Sequence, residues 1–376
     1  MVLERLFKIT LCSPDGETRY IVNGLNGNPG IVAGSLQLQE ILCDEEVSIG
    51  QCCANRLEVE LYNFTHDVTG YWILLENTFD TSGRNSEPWF KGVIDTSEGA
   101  SKFRNRRIVA YDLMYYVRNY PVLDWLINYF ESAPSMVTLE RFRNDLCAYV
   151  GFDIDRQIPN LLGDDTTFSD NPTGQYQLHT PPEIMPESLT FGRLLHDICQ
   201  LQCSVPNVGR DGRITFVPMG MNASTAITDI TDNYEQNNTD INDNSVIPFK
   251  DLTLLQLVDN DNDGEYTSKD NILLGPSSVV HALALLRDVV STMQSIQYTP
   301  ANINLIVSDY SIKPGAIVQI HDALCDDTVC KITRHLILSQ TFSGPLLVDQ
   351  ELVSSASGDI YNKPERYELI PDPIPL

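Results

Sequence analysis

Long apolar runs are missing from this chain. At the N-terminus, "MVLERLFKITLC" interrupts its apolar residues with charges every two or three positions. No stretch approaches the roughly 18 consecutive apolar residues that span a bilayer, and no signal-peptide core appears. The expectation is a chain made inside the cell without Sec export, with no membrane insertion. A cysteine framework is missing too. Nine cysteines, an odd number, lie scattered. Cys52-Cys53, Cys199/Cys203 and Cys325/Cys330 lack the paired C-x2-C spacing of a zinc ribbon. They read as small buried hydrophobes in a reducing compartment.

Basic charge is also scarce. Lys and Arg total 25 against 51 Asp and Glu, a formal net charge of -26. Such a surface repels nucleic-acid backbone and anionic membranes, which excludes ordinary DNA binding by phosphate neutralisation. The plainest use of the charge is solubility.

Catalytic signatures are missing as well. There is no H-E-x-x-H, G-x-S-x-G, P-loop or G-x-G-x-x-G, and the six histidines are widely separated. His196 falls within a helical stretch and reads as structural. Cys325 lies near His321, but in a turn-rich strand region that does not present a nucleophile. Carboxylate pairs arise by chance among so many acids, so a glycosidase reading has no support. No catalytic, cofactor-binding or metal-ligating residue is assigned, and the expectation is a protein that is not an enzyme.

What is present is a folded composition, 42% hydrophobic over 376 residues, enough for two to four domains. Most of the first 118 residues alternate. "RLEVELYNF" puts Leu57, Val59 and Leu61 on one face and Glu58, Glu60 and Tyr62 on the other, the period of a half-buried strand. "SLQLQEIL", "GYWILLE" and "RRIVAYDLMYYV" are further apolar or alternating runs. Turn signals separate them at Asn23-Gly24, Asn28-Pro29-Gly30 and Thr81-Ser82-Gly83. Many short strands at this spacing indicate an antiparallel barrel or sandwich.

The period then lengthens. "TLERFRNDLCAYVG" places Leu139, Phe142, Leu146 and Tyr149 on one helical stripe, with Thr138 as N-cap and Gly151 beyond the C-terminus. "SLTFGRLLHDICQLQ" does the same with Phe191, Leu194, Leu195, Ile198 and Leu201. Residues 153–187 between them, rich in Asp, Pro, Thr and Gly, read as a long surface excursion. "NVGRDGRITFVPM" predicts a hairpin turning at Asp211-Gly212. The polar stretch 222–245 reads as a mobile or irregular connector. A third helix follows Pro276, with Val279, Val280, Leu283, Leu286 and Val290 on its apolar side. The principal helices are thus expected near residues 138–150, 189–203 and 277–294. The tail, "NKPERYELIPDPIPL", carries four prolines and is expected to be extended or disordered.

One acidic loop needs separate treatment. "DNDNDGEYTSKD", residues 259–270, sets Asp259, Asp261, Asp263, Glu265, Thr267 and Asp270 at positions 1, 3, 5, 7, 9 and 12 of an EF-hand loop, with Gly264 at position 6. An EF-hand needs a helix on each side. Upstream, "DLTLLQLV" is more strand than helix; downstream, only "NILL" precedes Gly275-Pro276. The short Asp270 also replaces the usual bidentate Glu. The loop reads as a strand-connecting acidic turn without bound metal.

The order of segments says more than any motif. "IVAGSLQLQEILCDEEVSIGQCCANRLEVELYNF", "RRIVAYDLMYYVRNYPVLDWL", "VTLERFRNDLCAYVGF" and "SLTFGRLLHDICQLQCSVPNVGRDGRITFVPM" follow one another. Then come "YTPANINLIVSDYSIKPGAIVQIHD" and "TRHLILSQTFSGPLLVDQELVSSASGD". Together, over about residues 1–358, they resemble the tail-hub proteins of tailed phages, prophages and phage-tail-like bacteriocins.

The resemblance implies an α+β, β-dominated fold with two tail-tube-like antiparallel β-barrels and a smaller α/β portion. It divides the chain into a first barrel at 1–118 and an α/β portion at 119–205 and 247–298. A discontinuous second barrel takes 206–246 and 299–356, and 357–376 form the proline-rich tail. It further implies a homotrimeric ring that adapts a sixfold tail tube to a threefold tip. The implied partners are a tail tube or distal tail ring above, a tip or spike protein below, and a tape-measure protein. DNA would pass without specific binding, an acidic lumen keeping it off the wall within a Debye length of roughly 8 Å. Assembly would occur in the bacterial cytoplasm before incorporation into a virion or tail particle. Related hubs often continue into a peptidoglycan hydrolase or receptor-binding extension; here Leu376 follows the proline-rich tail, so no lytic activity is expected. A tail-associated cell-wall hydrolase and a calcium-stabilised β-rich binding protein are the alternatives.

Overall fold

A computed structural model describes residues 6–43, 49–78, 86–100, 104–132, 136–156, 158, 160–174, 176–180, 188–219, 227–229, 234–235, 247–248, 255–259, 264–268, 271–274, 282–295, 297–298, 300–306, 313–322, 325–338 and 347–354. The alternation of "RLEVELY" becomes a central strand, Arg56–Tyr62, with Leu57, Val59 and Leu61 fully buried. Around it runs a 14-stranded sheet. On one side follow Asn105–Tyr111, Ser86–Ala100, Trp72–Thr78, Leu6–Cys12 and Arg19–Val22. On the other follow Gln37–Ile41, Cys325–Leu338, Leu347–Ser354, Pro300–Ile306 and Tyr234–Glu235. Gly30–Ile31 pairs with the central strand, and Ile227–Asp229 runs parallel to Ile317–Asp322. N-terminal and late strands meet where Gln37–Ile41 pairs antiparallel with Arg334–Leu338. The fold is α+β and β-dominated, and the antiparallel sheet curls into a half-barrel.

Bulges help the sheet curl, because an extra residue bends a strand and increases its twist. Leu75 pairs with Phe90 but Glu76 with Pro88, which leaves Trp89 as the extra residue. A second shift sets Ile94 opposite Ala110 and Thr96 opposite Val109. The first bulge has a visible consequence. Two neighbours that a regular strand would send to opposite faces, Trp89 and Phe90, are both buried. Inside the curl they pack with Ile9, Leu11, Ile73 and Leu75. Each such aliphatic or aromatic burial contributes about 1.5–3 kcal/mol before entropy is counted.

Among the described residues the helices are α1 Leu113–Val117, α2 Leu123–Ser132, α3 Leu139–Tyr149, α4 Phe191–Leu201 and α5 Leu283–Ser295. Thr138 and Thr190 cap α3 and α4, accepting from Arg141 N and Arg193 N. Gly151, just past α3, has φ +96°, which favours glycine. The helices share a core of Met114, Leu126, Phe142, Leu146, Phe191, Leu194, Leu195 and Ile198. The hairpin of Ser204–Val208 and Ile214–Pro218 forms its own two-stranded sheet and turns through Gly212 at φ +82°.

Several expectations need correction. "RRIVAYDLMYYV" is not one run: the strand ends at Tyr111, and Asp112 accepts from Met114 N to start α1. Helix α2 was not expected, because Leu126 alone is deeply buried in it and no apolar stripe shows. Residues 153–187 are not wholly a surface excursion. Thr167–Ser169 pairs with Gln177–His179 and with Val137–Thr138, burying Phe168 and Leu178. One buried residue per three-residue strand leaves no readable period. Within 222–245, Ile227–Asp229 and Tyr234–Glu235 are short strands rather than connector. Helix α5 buries Leu285 and Val289 beside Leu286, two positions absent from the expected stripe; residues 275–281, which include Val279 and Val280, lie outside the described residues.

At the acidic loop, Leu255–Asp259 pairs antiparallel with Gly264–Ser268, Asp259 opposite Gly264. Strands, not helices, flank residues 260–263. Asp261, Asp263 and Asp270 lie outside the described residues, as does the tail 357–376.

Candidate functional site

At four cysteines burial disfavours thiol chemistry. Cys199 and Cys203 are pushed up to about 12 by desolvation in the core, and Cys52 and Cys147 are raised by the same cause. A thiol held so high is not a thiolate at neutral pH. His196 backs onto Gly50, where an added Cβ would stand 2.7 Å from the His196 carbonyl oxygen. Among the described residues, no three His, Cys, Asp or Glu side chains converge to hold a metal ion.

The densest chemistry lies instead where the sheet meets the helical unit. The hairpin tip, Gly209–Arg213, closes through a bond from Gly209 N to Arg213 O and rests against Lys91 of strand Ser86–Ala100. From that tip Arg210 reaches strand Gln37–Ile41. Its Nε donates to Glu40 Oε1 and its Nη2 to Oε2, both at 2.7 Å. Both side chains are nearly buried, at 5% and 6% exposure. The guanidinium also sits 5.5 Å from the ring centre of Trp89, the residue that the bulge turned inward. A bidentate, stacked arginine at this depth fixes both distance and angle between the elements it joins.

Asn55 makes a second tie through both ends of its amide. Its Nδ2 donates to Val208 O of the hairpin, and its Oδ1 accepts from Ile41 N, each at 2.8 Å. Its backbone N donates to Asp112 Oδ2 at 2.8 Å. Asp112 Oδ1 accepts from Met114 N at 3.0 Å, so one residue anchors both strand end and helix start. Burial raises the Asp112 carboxyl to about 7, against the opposing pull of the N–H groups of Asn55, Met114 and Tyr115.

A third tie lies deeper. Arg143 donates to Asp164 Oδ1 and Gln202 Oε1, both at 2.9 Å, and Gln202 Nε2 closes the triangle onto Asp164 at 2.6 Å. The Phe216 ring lies 4.5 Å beneath the guanidinium. What these three clusters do chemically is hold. They orient strands, hairpin and helices as one piece.

None of Glu40, Asn55, Asp112 or Arg210 stood out in the sequence. One signal was available. In "SLQLQEIL" the buried register runs Leu36, Leu38, Glu40, Leu42, so a carboxylate occupies an apolar position. A charge on that face requires a buried partner.

No protein-family profile matches the chain, and no curated protein sequence does. Solved structures do. The tail protein from Neisseria meningitidis MC58 is similar with a TM-score of 0.52 at 11% identity, over 93% of this chain and 96% of that one. The 43 kDa tail protein of prophage MuSo2 from Shewanella oneidensis is similar with a TM-score of 0.51 at 11% identity, over 92% and 98%. At such identity the likeness is one of fold, and it spans more than nine-tenths of each chain.

Proposed function

We propose that this chain is a structural hub of a phage tail or phage-tail-like particle. Three copies form a ring that adapts the sixfold tail tube to the threefold tip and lines the central channel. The observation that carries this reading is the end-to-end fold similarity to two tail proteins, each matched over more than nine-tenths of its length. The joint supports it: ties of buried ion pairs and an amide bonded at both ends suit a part whose task is to keep two faces at a fixed angle.

In this reading the ring contacts a tail tube or distal tail ring above and a tip or spike protein below. A tape-measure segment lies within reach, and DNA passes without specific binding. The domain division expected from the sequence, a first barrel at 1–118 and a second drawn from 206–246 and 299–356, belongs to the same proposal. The chain assembles in the bacterial cytoplasm, enters the particle, and carries no catalytic step of its own. Calcium is not required, and the 259–270 turn stays metal-free; calorimetric titration showing micromolar calcium binding, lost in Asp259→Ala/Asp261→Ala, would overturn that part. The test of the function is particle imaging of the purified chain. A threefold ring with a central opening supports it. Sixfold copies of this chain, or cell-wall hydrolysis in a zymogram, count against it.

A further inference from the structure

Residues 23–29, "NGLNGNP", join strand Arg19–Val22 to Gly30–Ile31 and hold two Asn-Gly pairs, Asn23-Gly24 and Asn26-Gly27. Asn-Gly is among the least durable sequences in a protein, because glycine has no side chain to shield its own backbone nitrogen. That nitrogen can attack the carbonyl carbon of the asparagine side chain and close a five-membered succinimide. The fold decides whether it does so, and this loop treats its two pairs differently.

The first pair is held. Gly24 N donates to Pro29 O at 2.9 Å, so the nucleophile is engaged. Asn23 Oδ1 accepts from Leu25 N at 3.0 Å, an Asx turn, and from Asn28 Nδ2 at 3.2 Å. Asn23 is half-buried, and its own N also donates to Pro29 O, at 3.0 Å. The Tyr62 hydroxyl closes over Gly24, 2.9 Å from where a Cβ would stand.

The second pair is open. Asn26 and Gly27 are both exposed, at φ +53° and +81°. They are the central residues of a type I′ turn, which Asn28 N closes onto Leu25 O at 3.0 Å. Among the described residues, Gly27 N donates to no backbone oxygen. Nothing lies within 4 Å of a Cβ built on Gly27, so the nitrogen is open to solvent.

We propose that Asn26 is a site of spontaneous deamidation in the native protein, and that it converts before Asn23. Gly27 N gives up its proton to solvent hydroxide and bonds to Asn26 Cγ, and the side-chain nitrogen leaves as ammonia. Water then opens the ring. Attack at Cγ yields aspartate; attack at the Asn26 main-chain carbonyl yields isoaspartate, whose backbone runs through the former side chain. Nothing is oxidised or reduced: an amide nitrogen is exchanged for a water oxygen, and a carboxylate is gained. The isoaspartyl form inserts a methylene into a two-residue turn, which parts Asn28 N from Leu25 O. The change requires no second copy and is independent of the hub reading.

The test is ageing of the full-length chain at mildly alkaline pH, its fold checked by circular dichroism. Peptide mapping by mass spectrometry follows both sites and separates aspartate from isoaspartate. Three hydrogen bonds must break before Asn23 and Gly24 can react. Asn26 should therefore convert faster by at least about tenfold. The same chain aged in concentrated urea should lose this preference, with the two rates within about threefold of each other. A folded chain whose two rates differ no more than they do in urea would overturn the proposal. So would a faster Asn23, or an Asn26 that stays intact in the folded chain while the urea-treated chain converts.

Discussion

Two ion-paired regions of this protein share residue types and differ in everything else. At the joint, Arg210 and Glu40 are at most 6% exposed and bonded twice. On the polar face of the central strand, Glu58 receives both Arg56 and Arg107, the latter 58% exposed. The buried pair left water at a cost of several kcal/mol per ion and recovers it only while both partners remain. The Glu58 pairs keep their arginines in water, at 35% and 58% exposure, and gain less. The joint therefore specifies geometry, and the strand face supplies solubility.

The largest expected effect comes from breaking the joint. Arg210→Ala should destabilise by about 3–5 kcal/mol, because the buried Glu40 loses its bidentate guanidinium. Urea unfolding measures it, and a loss below about 1 kcal/mol would place the pair in the surface class. Removing both charges sharpens the comparison. Glu40→Leu/Arg210→Met should recover most of that loss, since an apolar replacement avoids the desolvation cost. A double variant no better than Arg210→Ala would mean that the hairpin needs the bidentate geometry itself.

Asn55→Ala should cost about 1–3 kcal/mol, as Ile41 N and Val208 O lose their partner inside the protein. Its neighbour Asp112 gives a pH signature. A carboxyl raised to about 7 keeps its proton in the folded chain where the unfolded chain has lost it. Stability from this group is therefore present below about pH 4 and declines as pH rises towards 7. Relative to the native chain, Asp112→Asn should gain stability across that window and level off above it. A flat difference from pH 4 to 8 would show that the three N–H donors outweigh burial. The smallest effect belongs to the strand face. Arg107→Ala should change stability by about 0–1 kcal/mol, and less at high salt.

The same contrast explains what could be read in advance. Leu57, Val59 and Leu61 announced their strand, and the stripe from Phe191 to Leu201 announced α4, because one face of each element is buried along its whole length. Thr138 and Thr190 marked helix starts through cap chemistry that is local in sequence. The joint was half legible: Glu40 stands in an apolar register, but Arg210, far away in the chain, looks like an ordinary surface charge. Trp89 was hidden for another reason: its inward turn depends on a bulge, which breaks the period that would have revealed it. Helix α2 escaped because Leu126 alone is deeply buried there.

The central claim, that three copies close into a ring, is tested most directly by the mass of the purified chain in solution by light scattering. The hub account predicts one species at three times the 42.2 kDa chain mass, independent of dilution across the micromolar range. A stable monomer, a dimer or a sixfold species would contradict it.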